Sequence, residues 1–327
     1  MTEPVGDQPG VDTTTGGAPP RAASTIDTAL GGRPPTGTSE REFTVEQRSQ
    51  LQLIFRRFLR HRMAVASLIA FLCVVLFAFL GAALWHYGYH QTTPDNSVAP
   101  SLKHPFGTDA LGHDEMAQVM RGAQQSIQIA LLVTLIATSF GTAWGSVAGY
   151  YRGLADSLMM RFSDLVLTLP LLAVAGVLAN GRGSWWLIAL IIGGLQWAYV
   201  SRVARGVVLS LREKEFVEAA KALGASDRRI IFRHLVPNSL GTIIVNATIL
   251  VALAILLETA LSFLGIGVQP PDTSLGLLVS DAKTALSTRP WLFYFPGLFI
   301  ILIALTINFI GDGLRDAFDP QQTKVRR

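Results

Sequence analysis

Glu218-Ala219-Ala220-Lys221-Ala222-Leu223-Gly224, followed thirteen residues later by Pro237, lies on a charged connector between two long apolar runs. A Glu-Ala-Ala triplet alone says little, because both residue types are common helix formers. Its setting is what informs: a glycine four residues after the second alanine, a proline thirteen after the glycine, and membrane-length segments on both sides.

The rest of the 327-residue chain agrees with a membrane setting, since half of it is apolar and only 15% is charged. Soluble domains carry about 25% charge. Six stretches free of Asp, Glu, Lys and Arg run for about 17 residues or more, enough to cross a ~30 Å hydrocarbon core. They are Met63 to Trp85, Gln124 to Tyr151, Leu165 to Gly181, Gly183 to Ser201, Leu235 to Leu257 (continuing past Glu258 to Gly265), and Pro290 to Gly311. Lipid offers exposed backbone no hydrogen-bond partner, so each run is expected to be a helix.

Lys and Arg placement sets the orientation. With the N-terminus inside, inner segments near the membrane hold 19 of them and outer loops only five, namely Lys103, Arg121, Arg182, Lys283 and Arg289. Both termini and the Glu-Ala-Ala connector are therefore expected to face the cytoplasm.

Residues 1–42, rich in Gly, Pro, Thr and Ser, are expected to form a disordered tail, and residues 319–327 a short cytoplasmic one. Residues 43–62 carry Leu51, Ile54, Phe55, Phe58 and Leu59 on one face, with Arg48, Gln52, Arg56 and Arg60 elsewhere, the pattern of an interfacial amphipathic helix on membrane lipid. Residues 63–123 would hold the first span and an extracytoplasmic loop, and 124–318 the transmembrane core with a connector at 202–237. The single cysteine, Cys73, excludes an intrachain disulfide. Nucleic acid is a poor partner for this chain, because its basic residues cluster at membrane edges and form no groove with interleaved aromatics.

Within the connector, Glu213 to Leu223 reads as a short helix with Phe216, Ala219, Ala220 and Leu223 on one face. Gly224 suits the left-handed position that ends a helix. Ser226 and Asp227 are placed to cap a second helix from Arg228 to Val236, and Pro237 to restart the geometry before the fifth span. Small residues at Ala219 and Ala220 leave room for a close neighbour, and Phe216, Ile230 or Ile231 offer apolar anchors, the combination that helix-in-groove docking needs.

This pattern resembles the cytoplasmic coupling loop of ABC importer permeases, which runs EAA, three residues, Gly, nine residues, then I-x-L-P; here the end reads His234-Leu235-Val236-Pro237. A second region, Gly107-Thr108-Asp109-Ala110-Leu111-Gly112-His113-Asp114 with Gly122-Ala123 and Ser126-Ile127, resembles the G-T-D-x-x-G-R-D … G-A-R-x-S-L signature of the peptide/nickel class, in particular its second (C-type) permease. Asp164 with Leu169-Pro170, the segment Glu258-Thr259-Ala260-Leu261-Ser262-Phe263-Leu264-Gly265, and Pro270-Pro271 with Gly276 extend the likeness. His113, Gln118 and Gln124 stand where the family often has Arg.

The resemblance implies an all-α polytopic membrane protein with six transmembrane helices in the type I ABC importer permease fold. It implies half of a translocation pathway for di- or oligopeptides worked by alternating access, with nickel or another small solute as alternative cargo. The implied partners are a second homologous permease, two ATP-binding subunits and an extracytoplasmic substrate-binding protein. Phe216, Glu218, Ala219, Ala220, Gly224, Ser226, Asp227, Arg228, Ile231 and Pro237 would then form the surface that docks on an ATPase subunit. The chain has no GxxxxGK[ST] loop and no His/Cys metal cluster, so ATP and Mg are expected in the partners and no catalysis here.

Glu258 is the one acid deep in an apolar run, where insertion costs at least about 2.5–3.5 kcal/mol. It is expected to serve structure or gating, while Asn246 and Asn308 either line the passage or bond neighbouring helices. A secondary transporter is the rival reading, but such proteins place several coupling charges or broken helices near the midplane. Gly141, Gly145 and Gly149, four apart, predict close helix packing in the second span.

Overall fold

In the computed structural model, residues 50–179 and 184–318 are described. The two expected tails, the part of the amphipathic unit before Gln50, the Leu51 side chain and residues 180–183, with Arg182, lie outside them. The described residues form no β-strand, only isolated antiparallel bridges at Thr92–His113 and Thr108–Asp114. Among the described residues there are ten α-helical elements, besides a 3-10 turn at Ala282–Ala285: α1 (Gln50–Arg60), α2 (Arg62–Leu84), α3 (Glu115–Tyr151), α4 (Gly153–Thr168), α5 (Leu171–Ala179), α6 (Trp185–Arg212), α7 (Glu215–Ala222), α8 (Asp227–Phe263), α9 (Leu275–Asp281) and α10 (Trp291–Phe318).

Helices α2, α3, α6, α8 and α10 are each long and apolar enough to cross a membrane, and α4 with α5 makes a sixth, bent element. The expected third span is thus corrected. It starts at Gly153 and turns through 76° between Thr168 and Leu171. Pro170 is the cause: its ring disfavours a helical residue before it, and Leu169 is extended at φ −71°, ψ 123°.

Helices α3 and α6 form the centre of the bundle. Lipid supplies no hydrophobic drive between apolar helices, so close approach must come from small residues. A Cβ at Gly141 would fall 2.5 Å from the Trp197 carbonyl oxygen, and one at Gly145 2.1 Å from that of Ser201. One at Gly149 would lie 3.0 Å from the Arg205 oxygen. The predicted glycine seam is the contact line between these two helices. Trp197 on α6 is buried among Phe140, Trp144 and Phe162, which packs aromatic rings beside this seam.

Two further boundaries move. The expected fourth span ends near Ser201, but α6 runs on to Arg212 because Arg205 and Arg202 find carboxylate partners on α4. The first eleven residues of the expected 202–237 connector are therefore helix. Pro237 restarts nothing, because α8 is continuous from Asp227 to Phe263. A π turn at Ile230–Leu235 widens the helix just before the proline, with the Val236 N–H bonded to the Ile231 oxygen. Extra room of this kind accommodates a ring that would clash with an ordinary α-turn.

Helix α1 keeps Phe58 buried and Ile54 packed against Ala64 and Ala317, which joins the ends of α2 and α10.

Candidate functional site

The short helix α7 hangs between the ends of α6 and α8 on a compact apolar cluster. Val217 and Ala220 point inward and pack with Tyr150, Val208, Ile230, Ile231 and Leu235. Its C-terminus is a Schellman motif: the Gly224 N–H donates to the Lys221 oxygen at 2.9 Å, and the Ala225 N–H to the Ala220 oxygen at 3.0 Å. Gly224 takes φ +76°, as its position in the sequence predicts.

The opposite face of α7 carries Phe216, Ala219 and, just past the helix, Leu223, which is 88% exposed. Glu218 and Arg228 are exposed as well. The expected single face of Phe216, Ala219, Ala220 and Leu223 is therefore split, with Ala220 serving the inner side. Ile230 and Ile231 are buried at 0% and 2%, so neither is free to plug a partner's groove. They hold α7 in place instead.

The expected caps also differ. Ser226 occupies the N-cap position of α8 with extended backbone but makes no side-chain cap bond. Asp227 turns away to accept a hydrogen bond from the Tyr150 hydroxyl at 2.6 Å, which ties the connector to the last turn of α3. Arg212 and Lys221 sit over the same tyrosine ring, each 5.6 Å from its centroid. Arg152, one residue past α3, pairs with Glu213. Pro237 is exposed beside Arg228, Arg229 and Arg233.

Just beyond this connector, Arg205 grips Asp156 with two bonds of 2.6 Å, while Arg202 reaches Asp164 at 2.6 Å. These pairs lock α4 to α6.

At the other end of the bundle, the loop between α2 and α3 folds back on itself through its signature residues. Thr108 is buried, donates to the Asp95 carbonyl at 2.6 Å and accepts from the Val98 N–H at 2.8 Å. Asp109 accepts from the N–H groups of Leu111 and His113, both at 2.8 Å, and meets the His113 ring at 2.7 Å. Asp114, fully buried, caps α3 through the Ala117 N–H and also binds Trp85 and His104. Gly107 (φ +83°) and Gly112 (φ +85°) need both their conformations and their missing Cβ, since one at Gly112 would lie 2.1 Å from the Thr93 oxygen. Gln118 and Gln124, at positions often basic in the resembling family, donate to the Tyr89 and Ala78 carbonyls at 2.7 Å each.

Glu258 is completely buried and accepts from Ser126 Oγ at 2.8 Å and Ser262 Oγ at 2.7 Å. Ser274 Oγ lies 3.2 Å from Ser262 Oγ, so the carboxylate joins α3, α8 and the start of α9. Asn246 donates to the Thr242 carbonyl of its own helix at 2.8 Å, and Asn308 is exposed on α10. The structure does not bring these three together. A further clamp escaped sequence reasoning: Arg121 meets Asp272 with bonds of 2.9 and 3.0 Å, and Gln125 adds one of 2.6 Å. The available signal was an arginine and an acid, each beside an apolar run, but their separation in sequence hides the pairing.

Residues 141–324 match the family model described as binding-protein-dependent transport system inner membrane component. Residues 49–105 match the N-terminal TM domain of oligopeptide transport permease C. The chain is 42% identical over 283 residues to the oligopeptide transport system permease protein OppC of Mycobacterium tuberculosis, covering 85% of this chain and 97% of that protein. It is 42% identical to OppC of Escherichia coli K12 over 85% of this chain and 93% of that one. For OppC of Haemophilus influenzae the identity is 39%, with coverages of 86% and 91%.

Proposed function

This chain belongs to the family of binding-protein-dependent transport system inner membrane components, and from that membership we propose that it forms half of an oligopeptide import pathway. It is a membrane permease subunit, and its likeness to oligopeptide transport permeases supports peptide as the cargo. Its partners are a second homologous permease, two ATP-binding subunits and a substrate-binding protein outside the membrane. ATP and Mg belong to the ATP-binding subunits, where hydrolysis takes place. The distribution of Lys and Arg supports a cytoplasmic location for both termini and for α7.

One observation carries the mechanism. Helix α7 keeps Phe216, Ala219 and Leu223 exposed on a rigid mount, while Val217 and Ala220 fasten it to α3, α6 and α8. An apolar helix face of this kind suits a groove on an ATP-binding subunit. Closure of two such subunits would push on α7, and the Tyr150–Asp227 bond and the buried cluster would pass that displacement to three spans at once. Alternating access then follows as a shift between two arrangements of the bundle.

The test is purification in mild detergent through a tag on this chain, with co-purifying subunits identified by mass spectrometry. Two ATP-binding chains and a second permease are expected. A lone chain or a homo-oligomer that still moves solute would refute the proposal in favour of a secondary transporter.

A further inference from the structure

A cavity of about 520 Å³ opens at the end of the bundle opposite α7, between the α2–α3 loop and helix α9. Its size falls in the range of sites for small organic molecules. Four carboxylates line it: Asp109, Glu115, Asp272 and Asp281. Two of these are already engaged, Asp109 by His113 and Asp272 by Arg121 and Gln125. The other two are not.

Glu115 is the decisive residue. It opens α3, is only 3% exposed, and its Oε1 is buried without a hydrogen-bond partner among the described residues. Leaving a buried carboxylate oxygen unsatisfied is costly, and nothing in the fold of the loop requires an acid there, since Asp114 already caps the helix. Asp281 is exposed and makes no hydrogen bond or ion pair among the described residues. Desolvation holds its carboxyl above the ordinary range; Lys283 pulls it down and the Asp109 charge pushes it up. Lys283 itself is turned to the Phe263 carbonyl at 2.7 Å, and Arg289, the one arginine or lysine on the cavity wall among the described residues, donates to Ser97.

Two acidic side chains without a hydrogen-bond partner among the described residues, in one cavity, suit a positively charged donor as ligand. The described residues hold no group of three or more His, Cys, Asp or Glu side chains suited to a metal ion. The remaining wall is apolar, with Leu277, Leu278, Ala282 and Leu292. A cationic head with an apolar body fits both halves of this lining.

We propose that this cavity binds the ammonium group of a small amine, with Glu115 and Asp281 as its acceptors. Given the peptide-import reading, on which this identification of the ligand rests, the amine is the free amino terminus of a short peptide arriving at the outer face.

The test uses the complete transporter in nanodiscs, without its binding protein, and titrates trialanine, N-acetyl-trialanine and n-pentylamine by calorimetry. Trialanine and pentylamine are expected to bind, and acetylation, which removes the positive charge, to weaken binding roughly tenfold or more. Glu115→Gln and Asp281→Asn are expected to weaken both amines by similar factors. Equal binding of the acetylated and free peptides to the wild-type protein would overturn the proposal without reliance on any variant. So would amine binding unchanged by both substitutions. If no small amine binds but the binding protein docks in a Glu115-dependent manner, the cavity receives a protein side chain and the proposal is also overturned. Peptide import without amine recognition would sink this inference alone. Glu115-dependent pentylamine binding in a transporter that imports no peptide would sink the peptide reading and leave the amine site standing.

Discussion

The hydroxyl of Tyr150 lies 2.6 Å from Oδ1 of Asp227, joining the last turn of α3 to the first turn of α8 directly behind the exposed face of α7. The tyrosine is 5% exposed and supports Arg212 and Lys221 over its ring. Through these contacts it ties both flanks of the connector to the central helix of the bundle.

Tyr150→Phe removes only this hydroxyl and keeps the ring. A bond to a charged acceptor contributes about 1.5–3 kcal/mol, with the lower end expected here because Asp227 is partly solvated. The variant should insert and assemble normally but hydrolyse more ATP per peptide imported. The check is the ratio of ATPase to transport rates in proteoliposomes, and an unchanged ratio would remove Tyr150 from the coupling path.

Gly145 and Gly194 form a matched pair on the two central helices. A Cβ at Gly145 would lie 2.1 Å from the Ser201 carbonyl oxygen, whereas one at Gly194 meets nothing within 4 Å. Gly145→Ala must part α3 from α6 and should cost about 1–3 kcal/mol, while Gly194→Ala should be neutral or slightly stabilising. Thermal unfolding followed by size-exclusion chromatography distinguishes them. Equal melting temperatures would mean that the glycine seam does not set the helix spacing.

Gly224 poses a different problem, because its surroundings are open and only its conformation is demanding. A β-branched residue at φ +76° should cost about 1–2 kcal/mol and unwind the end of α7. Gly224→Val is therefore expected to impair transport with assembly intact, and Gly224→Asn to retain most activity. Loss with both variants would show that some contact made by the glycine itself is at stake.

Glu258 accepts two hydroxyl donors deep in the bundle. Gln preserves the shape and an acceptor, so Glu258→Gln should keep the yield of folded protein. Glu258→Ala leaves Ser126 and Ser262 without their partner and should cost about 1–3 kcal/mol. If the Gln variant folds but fails to transport, the charge itself serves the cycle.

Much of this was legible in the sequence because membrane helices obey few rules. The absence of charge located the spans, glycines every four residues marked the α3–α6 seam, and Gly224 announced its own left-handed turn. The bend at Leu169-Pro170 was also written in the sequence, but an uninterrupted apolar run masked it. Where helices end was harder to read. Arg202 and Arg205 look like loop charges until Asp164 and Asp156 are found across from them, and that pairing depends on the approach of α4 to α6. The inward turn of Val217, Ile230 and Ile231 was hidden for the same reason. A short amphipathic helix has two plausible inner faces, and only the neighbours decide between them.

The signature loop shows a related limit. Thr108, Asp109 and Asp114 belong to a class signature in sequence, and in the fold they bond to their own loop and to the start of α3. What that folding leaves unsatisfied is Glu115, which the motif does not include.

The most direct test of the account places a photo-crosslinking amino acid at Leu223, 88% exposed, and in a separate protein at Val217, fully buried. The account predicts that the assembled transporter gives a strong crosslink from position 223 to an ATP-binding subunit and almost none from 217. Crosslinks from position 223 to lipid alone, in a complex that still hydrolyses ATP and imports peptide, would contradict the assignment of α7 as the docking helix.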